Sequence, residues 1–298
     1  MIKHLRLKAY GKINLALDVL GKRDNGYHDV RMIMQTVGLH DRIELYRTKE
    51  PGIRLETNLF YLPNNEQNLA YRAAALLMEE FGVKEGVSIK LKKFIPVSAG
   101  MAGGSTDAAA VLVGVNRMFD LGFTKKELME RGVKLGADVP YCIMRGTALS
   151  EGIGEILTEL PAPPQCHLVI AKPQISVSTK AVYGKLRVNE LAPEEHPDID
   201  GMMAAIKNGD LDGVIERLGN VLETVTVPDH PEIARIKEMM MENGACGSLM
   251  SGSGPTVFGI YKDKELAEKA CQALREADGG RLTRQVYLTE FYNRKKAR

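Results

Sequence analysis

A glycine-rich segment ahead of a helical pattern is the part of the sequence best suited to chemistry. It runs FIPVSAGMAGGSTDAAA over residues 94–110 and brings small residues, hydroxyls and a carboxylate together. The start of a helix presents unpaired N–H groups and the positive end of the helix dipole, and glycines let a bulky anion approach the backbone. The segment therefore predicts a cradle for phosphate groups, centred on Gly100, Gly103, Gly104, Ser105 and Thr106.

A purely structural role competes with this interpretation, since glycines also make a tight turn from strand to helix, with Ser105 as the N-cap. Three observations favour phosphate binding. The glycines exceed what a turn needs, hydroxyls follow them directly, and a second glycine cluster, GSLMSGSGPTVF, occupies residues 247–258. The hydroxyls of Ser105 and Thr106 can bond a phosphate oxygen or ligate Mg²⁺, and Asp107 adds negative charge at the helix start.

Other familiar nucleotide-binding patterns are absent from the sequence. It contains no GxxxxGK[ST], no GxGxxG that opens a strand–helix–strand unit, and neither HRD nor DFG. These absences argue against a P-loop protein, a dinucleotide-binding fold and a protein kinase.

Strands are the first secondary-structure elements predicted along the chain, and together with helices they must position the glycine segment. Alternating apolar and β-branched residues predict strands at 4–10, 13–20, 30–39, 42–47, 53–57 and 87–94, in a mostly antiparallel sheet. Residues 68–81 have high helix propensity behind a polar first residue, Asn68. Apolar residues at helical spacing over 108–118 predict a helix from near Ser105, and a capping box of Thr124 and Glu127 predicts the next one.

A proline cluster, LPAPPQ at residues 160–165, is the best candidate for a domain boundary. It predicts an N-terminal domain of residues 1–162, which carries the glycine segment, and a C-terminal domain of residues 163–298. The second half has patterns for strands at 167–173 and 285–291, strands on both sides of SGSGP, and helices around 179–186, 198–207 and 231–243. Strands and helices in both halves predict an α+β fold. A further helix is predicted with an apolar face of Leu266, Ala270, Ala273, Leu274 and Ala277.

The composition limits the classes of partner. The 298 residues are 44% hydrophobic, enough for a large core, and carry a net charge of +2. This balance predicts neither nucleic acid nor an acidic membrane as a partner, and the basic end, NRKKAR, predicts a frayed terminus. No segment resembles a signal peptide or a membrane span, which predicts a soluble, cytoplasmic protein. The dispersed cysteines predict reduced core residues: Cys142, Cys166, Cys246 and Cys271.

Three segments, taken together, resemble the GHMP kinase superfamily. They are YGKINLALDVLGKRDNGYHDV near the start, PVSAGMAGGSTDAAAVL in the middle and SGSGPTVFGIY near the end, in the order expected for the family. The segment LGADVPY, residues 135–141, also resembles the family's catalytic segment. The similarity extends from about residue 8 to about residue 262, which is nearly the whole chain.

The resemblance implies both a fold and an activity. The fold is the two-domain GHMP kinase fold, with an N-terminal domain like ribosomal protein S5 domain 2, a C-terminal ferredoxin-like domain and an active site in the cleft between them. The activity is ATP-dependent transfer of the γ-phosphoryl group to the tertiary 2-hydroxyl of a cytidine-diphosphate-linked methylerythritol, in the non-mevalonate route to isoprenoids. ATP and Mg²⁺ are the implied cofactors, and the alcohol is the implied small-molecule partner.

The resemblance also implies roles for individual residues. Asp138 is expected to act as base or to orient the hydroxyl, with Lys12 close beside it to stabilise charge on the moving phosphoryl group. Tyr27, His28 and Tyr183 are the implied readers of the cytosine, by stacking and by hydrogen bonds to its edge. Without the resemblance, Asp138 would be an ordinary turn residue, Lys12 an exposed lysine and Tyr183 a core residue.

Weaker assignments follow from matching positions. Asn14 and Thr179 are implied substrate contacts, while Asn68 is either a nucleotide contact or only an N-cap. Residues 251–254 are expected to back the first glycine loop, and Ser105 is expected to contact Mg²⁺. The implied ATP-binding loop consists of Pro96, Val97, Ser98, Ala99, Gly100, Met101, Ala102, Gly103, Gly104, Ser105 and Thr106.

The loop departs slightly from the family pattern. Met101 stands where leucine is usual, Ser98 and Ala99 stand where glycines are common, and Asp107 occupies a position often held by asparagine. Two other functions stay open: a related kinase for homoserine, mevalonate or a sugar, and a non-catalytic nucleotide- or RNA-binding protein on the same fold. The NGYH motif disfavours the first because those acceptors carry no base, and the near-neutral charge disfavours RNA.

Overall fold

A computed structural model describes residues 2–293 in two compact units. Within these residues, the first unit comprises 2–11, 39–97 and 102–145, and the second comprises 12–38, 98–101 and 146–293. Two long strands, β1 (His4–Lys22) and β2 (His28–Thr48), contribute residues to both units. The boundary near residue 162 stays a prediction, and all of the NRKKAR end except Asn293 lies outside the described residues.

The first unit combines strands with helices. Its strands are residues 4–11 of β1, residues 39–48 of β2, β3 (Gly52–Thr57) and β4 (Gly86–Lys92). β4 pairs antiparallel with residues 42–48 of β2 and parallel with β3. The helices are α1 (Leu69–Glu80), α2 (Gly103–Phe119), α3 (Lys125–Gly132) and α4 (Val139–Met144).

Small residues let the helices of the first unit pack closely. Helices α1 and α2 pack against each other, and Ala70 and Ala73 of α1 are fully buried. A Cβ at Gly114 of α2 would lie 2.4 Å from Leu45 Cδ1 and 2.6 Å from Leu7 Cδ1. The absence of a side chain at Gly114 therefore brings α2 close to the strands.

The second unit contains a four-stranded antiparallel sheet in the order β11–β7–β10–β9. These strands are β7 (His167–Pro173), β9 (Gly247–Met250), β10 (Val257–Tyr261) and β11 (Thr283–Glu290). Helices α9 (Pro231–Glu242) and α10 (Lys264–Glu276) pack against this sheet. This strand order, with a helix before β9 and another before β11, confirms the predicted ferredoxin-like arrangement.

In the rest of the second unit, further strands pair with the parts of β1 and β2 that belong to this unit. Residues 30–35 of β2 pair antiparallel with β5 (Thr147–Gly152), which forms a hairpin with β6 (Ile156–Leu160). Residues 16–17 of β1 pair parallel with β8 (Gly219–Asn220). The remaining helices are α5 (Thr179–Lys185), α6 (Ile199–Asn208), α7 (Leu211–Glu216) and α8 (Glu223–Asp229).

Local signals predicted several elements well. Asn68 caps α1, and Thr124 caps α3 in the predicted box with Glu127. The α+β class is confirmed, and the pairings described above are antiparallel except for β3 with β4 and β1 with β8. Among residues 2–293, no helix combines the length and apolar character needed to cross a membrane.

Other predictions were wrong in detail. The predicted strands 4–10 and 13–20 form the single strand β1, and 30–39 and 42–47 form β2, because nothing breaks the extended backbone between them. On α10 the buried residues include Ala267 and Cys271, while Leu266 is 38% exposed, because the smaller side chains allow closer packing on the sheet. Cys246 is exposed and is therefore not a core residue.

We expect Gly114→Ala to destabilise the protein by about 1–3 kcal/mol, because the new methyl group overpacks against Leu45 and Leu7. Alanine's advantage in a helix, about 1 kcal/mol, offsets part of this cost. Denaturant unfolding measures the change. The matched control is Gly184→Ala in α5, where no heavy atom lies within 4 Å of the new Cβ, so stability should stay level or rise. Equal stability of the two variants would contradict the close approach of α2.

Candidate active site

The glycine segment forms a loop between β4 and α2 in which left-handed residues alternate. Ser98, Gly100 and Ala102 have φ angles of 51°, 71° and 55°. Serine and alanine pay about 1–2 kcal/mol for this conformation, a strain that is common at ligand-binding loops. The helix begins at Gly103, behind Ala102, so Ser105 as the N-cap was wrong. The hydroxyl of Ser105, at the third helical position, is consequently not used for capping.

The centre of the loop lies against the second glycine cluster, within the second unit. A Cβ at Gly100 would lie only 2.1 Å from the carbonyl oxygen of Ser251, so no side chain fits there. Ser251 Oγ donates a hydrogen bond to the Gly100 carbonyl oxygen, at 3.0 Å. A Cβ at Gly252 would lie 3.2 Å from that same oxygen. The expectation that residues 251–254 back the glycine loop therefore agrees with the contacts of Ser251 and Gly252.

Asn220 holds the second glycine cluster in place, a role that the sequence did not reveal. Its Nδ2 donates to the carbonyl oxygens of Met250 and Gly252, both at 2.8 Å. Its Oδ1 accepts from the backbone N–H of Leu222 at 3.0 Å. Nothing in the local sequence around Asn220 signals its contacts with the two carbonyl oxygens, because Met250 and Gly252 lie about thirty residues away.

Lys12 and Asn14 lie beside the centre of the loop. The backbone N–H of Lys12 donates to the carbonyl oxygen of Met101 at 3.2 Å, and its Nζ donates to Asn14 Oδ1 at 2.7 Å. Lys12 is 5% exposed, and in the described part of the second unit no carboxylate forms an ion pair with it. A buried ammonium whose partner is a neutral amide keeps an uncompensated charge, which suits an anionic ligand.

The predicted substrate residues also make contacts within the second unit. Thr179 Oγ1 and Ser253 Oγ are hydrogen-bonded at 2.8 Å, which joins the start of α5 to the second glycine cluster. The rings of His28 and Tyr183 lie 5.2 Å apart and are tilted by 44°. Burial, assisted by the charge of Lys22, lowers the pKa of His28 below its ordinary value. Tyr27 is 59% exposed and presents its ring to solution.

The first unit brings Ser105 and the Asp138 segment together. Gly136 lies so near Ser105 that its Cβ would be 4.0 Å from Ser105 Oγ. Asp138 precedes α4, and its side chain makes no capping hydrogen bond. The Asp138 carboxylate is thus free of a helix-capping role, as a catalytic or orienting function requires.

Two predicted ATP contacts already have structural partners. Thr106 Oγ1 donates to the carbonyl oxygen of Tyr10 at 2.7 Å, so its single hydroxyl proton is used within the first unit. Asn68 is the N-cap of α1: its Oδ1 accepts from the N–H of Ala70, and its Nδ2 donates to the carbonyl oxygen of Pro63, both at 2.9 Å. The capping alternative for Asn68 is confirmed, while its contact with a nucleotide stays a prediction.

Asp107 corrects one expectation from the sequence, because its carboxyl group is buried and not presented at the helix start. Its Oδ2 accepts from Lys93 Nζ at 2.6 Å, and Lys93 also pairs with Asp41. Burial raises the pKa of Asp107 well above its ordinary range, against the effect of Lys93 and reinforced by Asp41. Burial alone would lower the pKa of Lys93, but the two carboxyl groups raise it.

We expect Gly100→Ala to weaken ATP binding by about 10–100-fold, because the new Cβ collides with the Ser251 carbonyl and displaces the loop by a fraction of an ångström or more. Calorimetric titration with MgATP measures this loss. The control is Gly122→Ala, which also has a positive φ but open space around it, so it carries the same backbone strain without the collision. Equal ATP affinities in the two variants would contradict the importance of this contact.

We expect Asp107→Asn to remove a pH dependence of stability. Because the pKa of Asp107 is raised in the folded state, the stability that its proton contributes is present at low pH and is lost as the pH rises through the folded pKa. Asparagine cannot titrate, so the stability of the variant relative to the parent protein should rise as the pH increases from the ordinary aspartate range towards the raised folded pKa, by up to about 1.4 kcal/mol per pH unit. Urea unfolding across this range measures the difference, with the exposed Asp120→Asn as control. Parallel stability curves would contradict the raised pKa.

Comparison with known proteins adds independent information. The family model for the GHMP kinases N terminal domain matches residues 68–146, and the model for the GHMP kinases C terminal matches residues 202–279. The chain is 55% identical to the 4-diphosphocytidyl-2-C-methyl-D-erythritol kinase of Lachnospira eligens, over 98% of this chain and 99% of that protein. It is 53% identical to the protein of the same name from Lachnoclostridium phytofermentans, over 98% of both chains.

Solved structures agree with these sequence matches. A crystal structure of 4-(cytidine 5'-diphospho)-2C-methyl-D-erythritol kinase matches with a TM-score of 0.82 and 30% identity, over 97% of this chain and 100% of that one. A homoserine kinase from Cytophaga hutchinsonii matches with a TM-score of 0.79 over 98% of this chain and 96% of that one. Its 19% identity shows a common fold alone. The predicted resemblance and fold are thereby confirmed, and the chain belongs to the GHMP kinase family.

Proposed function

We propose that this chain transfers the γ-phosphoryl group of ATP to the 2-hydroxyl of 4-diphosphocytidyl-2-C-methyl-D-erythritol, giving the 2-phosphate and ADP for the non-mevalonate route to isoprenoids. Relatives of that name share more than half of their residues with this chain over nearly its whole length. The structural observation that carries the proposal is the buried ammonium of Lys12 beside the glycine loop, with a neutral amide as its partner. A phosphate group would compensate this charge.

The glycine loop provides the ATP phosphates with backbone donors. The first amides of α2 have no acceptor within the helix, and Ala102 offers no side-chain cap. A Cβ at Gly104 would make only ordinary contact, 3.4 Å from Leu69 Cδ1, and Gly104 is exposed. Packing within the first unit therefore does not require a glycine at position 104. This supports the interpretation that the glycine allows a ligand to approach the backbone closely.

Mg²⁺ fits this arrangement as a companion of the phosphates. In residues 2–293, no group of three His, Cys, Asp or Glu side chains could hold a metal ion by itself. The hydroxyl of Ser105 is suited to contact the ion, since it is half-buried and not used for capping. When bound, Mg²⁺ would neutralise part of the negative charge of the phosphates.

Phosphoryl transfer requires positioning and charge stabilisation more than covalent help from the protein. Lys12 supplies the positive charge for the transferred group, and Asp138 accepts a hydrogen bond from the attacking hydroxyl. Because the hydroxyl proton leaves late in a loose transition state, Asp138 orients the nucleophile more than it deprotonates it. The proximity of Lys12 to Asp138 stays a prediction.

The cytosine would be recognised by the rings of the second unit. His28 is neutral near pH 7 because its pKa is lowered, so its imidazole offers one hydrogen-bond donor and one acceptor to a base edge. Tyr183, which lies beside His28, and the exposed Tyr27 supply aromatic faces for stacking. Stacking tolerates any base, so His28 would provide the preference for cytosine.

We expect Asp138→Asn to lower kcat by about 10²–10⁴-fold, because a neutral amide orients the hydroxyl less strongly and cannot take up its proton, while MgATP affinity stays within about threefold of the parent protein. Steady-state kinetics and calorimetric titration measure the two effects. The exposed Asp120→Asn serves as control for the loss of one negative charge. Unchanged turnover would remove Asp138 from the mechanism.

The proposed function is tested by incubating the protein with ATP, Mg²⁺ and 4-diphosphocytidyl-2-C-methyl-D-erythritol. We expect ADP and a product heavier by one phosphate, with no turnover of homoserine or mevalonate. Turnover of either of those acceptors, without the cytidine-linked alcohol, would assign a different small-molecule kinase. ATP binding without transfer to any of the three acceptors would favour a non-catalytic role.

A further inference from the structure

A buried cluster of three titratable residues joins the two ends of the glycine loop. Asp41 lies in β2, Lys93 follows β4, and Asp107 lies in the second turn of α2. All three belong to the first unit, and they are 0%, 7% and 3% exposed, respectively. None of them is a predicted contact of ATP or of the acceptor.

Asp41 fixes the end at which the chain enters the loop. Its Oδ1 accepts hydrogen bonds from two consecutive backbone N–H groups, that of Phe94 at 2.5 Å and that of Ile95 at 2.8 Å. Its Oδ2 pairs with Lys93 Nζ. A single carboxyl group therefore sets the direction in which the backbone leaves β4.

Lys93 and Asp107 fix the end at which the chain leaves the loop. Lys93 Nζ donates to Asp107 Oδ2 at 2.6 Å and to the carbonyl oxygen of Gly103 at 3.3 Å. A Cβ at Gly103 would lie 3.2 Å from Lys93 Nζ and 3.3 Å from Ile95 Cγ2, so any side chain there would press against both. The start of α2 is thus held against residues of the entering end.

Lys93 is occupied within the protein. An ammonium group has three donors, and those of Lys93 are directed at Asp41, Asp107 and Gly103. No donor is left for a phosphate group, in contrast to Lys12, whose side chain bonds the neutral Asn14. The Lys93 side chain can therefore act on a bound ligand only through the backbone that it positions.

The desolvation cost of burying these titratable groups indicates that they serve the geometry of the loop. Buried ion pairs are expensive to desolvate, and apolar side chains of similar volume often give equal or greater stability. Between the two anchored ends, Ser98 and Ala102 hold left-handed conformations that need support from their surroundings. Specifying the geometry of this loop is a benefit that apolar packing would not supply.

We propose that Asp41, Lys93 and Asp107 are positioning residues, which hold the two ends of the glycine loop at the separation needed to bind the phosphates of ATP. The inference rests on the proposed function for the identity of the ligand. It adds to that function three residues whose side chains are bonded within the protein.

The test uses Lys93→Met in the full chain, with the exposed neighbour Lys92→Met as matched control. We expect the Kd for MgATP to rise at least about tenfold in Lys93→Met, since small displacements of binding groups cost this much or more. The KM for the acceptor should change less than about threefold, because the cluster anchors the ATP loop alone. Asp107→Asn, which keeps an oxygen for Lys93, should retain MgATP affinity within about threefold.

Lys93→Met leaves two buried carboxyl groups without a cation, so a second variant removes one of them. Lys93→Met/Asp107→Leu should regain stability while its MgATP affinity stays weak. Parent-like MgATP affinity in either Lys93 variant would overturn the proposal, as would equal losses for ATP and acceptor. Failure of both to fold, while Lys92→Met folds, would assign the cluster to stability and overturn its positioning role. Calorimetry with MgATP needs no acceptor, so a failed kinase assay leaves this test intact.

Discussion

Gly100 has no room for a side chain, because the carbonyl oxygen of Ser251 lies where its Cβ would stand. This close contact of two main chains connects the two glycine clusters, which lie about 150 residues apart in the sequence. Asn220 fixes one of the two partners by binding the carbonyl oxygens on either side of Ser251. The centre of the loop is consequently held through its carbonyl oxygens, that of Gly100 by Ser251 Oγ and that of Met101 by the backbone N–H of Lys12.

Two buried lysines near the loop illustrate two uses of the same functional group. Lys93 is compensated by two carboxyl groups and a carbonyl oxygen, so its charge serves the fold. Lys12 bonds the neutral Asn14, so its charge remains available. Burial is similar for both ammonium groups, and the difference lies in their neighbours. The desolvation cost of Lys93 is therefore met when the chain folds, whereas that of Lys12 would be met by the phosphate of the proposed ligand.

Local patterns in the sequence predicted the features that depend on residues close together in the chain, such as helix caps. Asn68 and Thr124 cap helices through residues two or three positions away, so their roles were visible in the sequence itself. The partners of Asp41 and Asn220 are brought to them only by the fold, and no spacing rule marks either residue. Short elements such as α4 and β8 also escaped prediction, because they contain too few residues for a periodic pattern.

The substrate residues fall between these extremes. Lys12 and Asp138 would look like a surface lysine and a turn residue by composition, and the family resemblance alone singled them out. The structure adds that Lys12 is buried and that the Asp138 side chain is not engaged in capping. It also explains Gly103 by the proximity of Lys93, whereas Gly104 has no such neighbour. The two adjacent glycines of this motif are therefore glycines for different physical reasons.

Strand β8 consists of two residues, yet its Asn220 anchors the turn behind the loop. The connection between α6 and β8 contains α7, and the turn between these two helices is exposed and polar over residues 207–210. Lengthening or shortening that surface connection would displace Asn220, whose side-chain amide donates to the carbonyl oxygens of Met250 and Gly252. A tag or a sensor domain inserted into the second unit should therefore avoid this turn, although an exposed polar sequence would ordinarily be expected to tolerate an insertion.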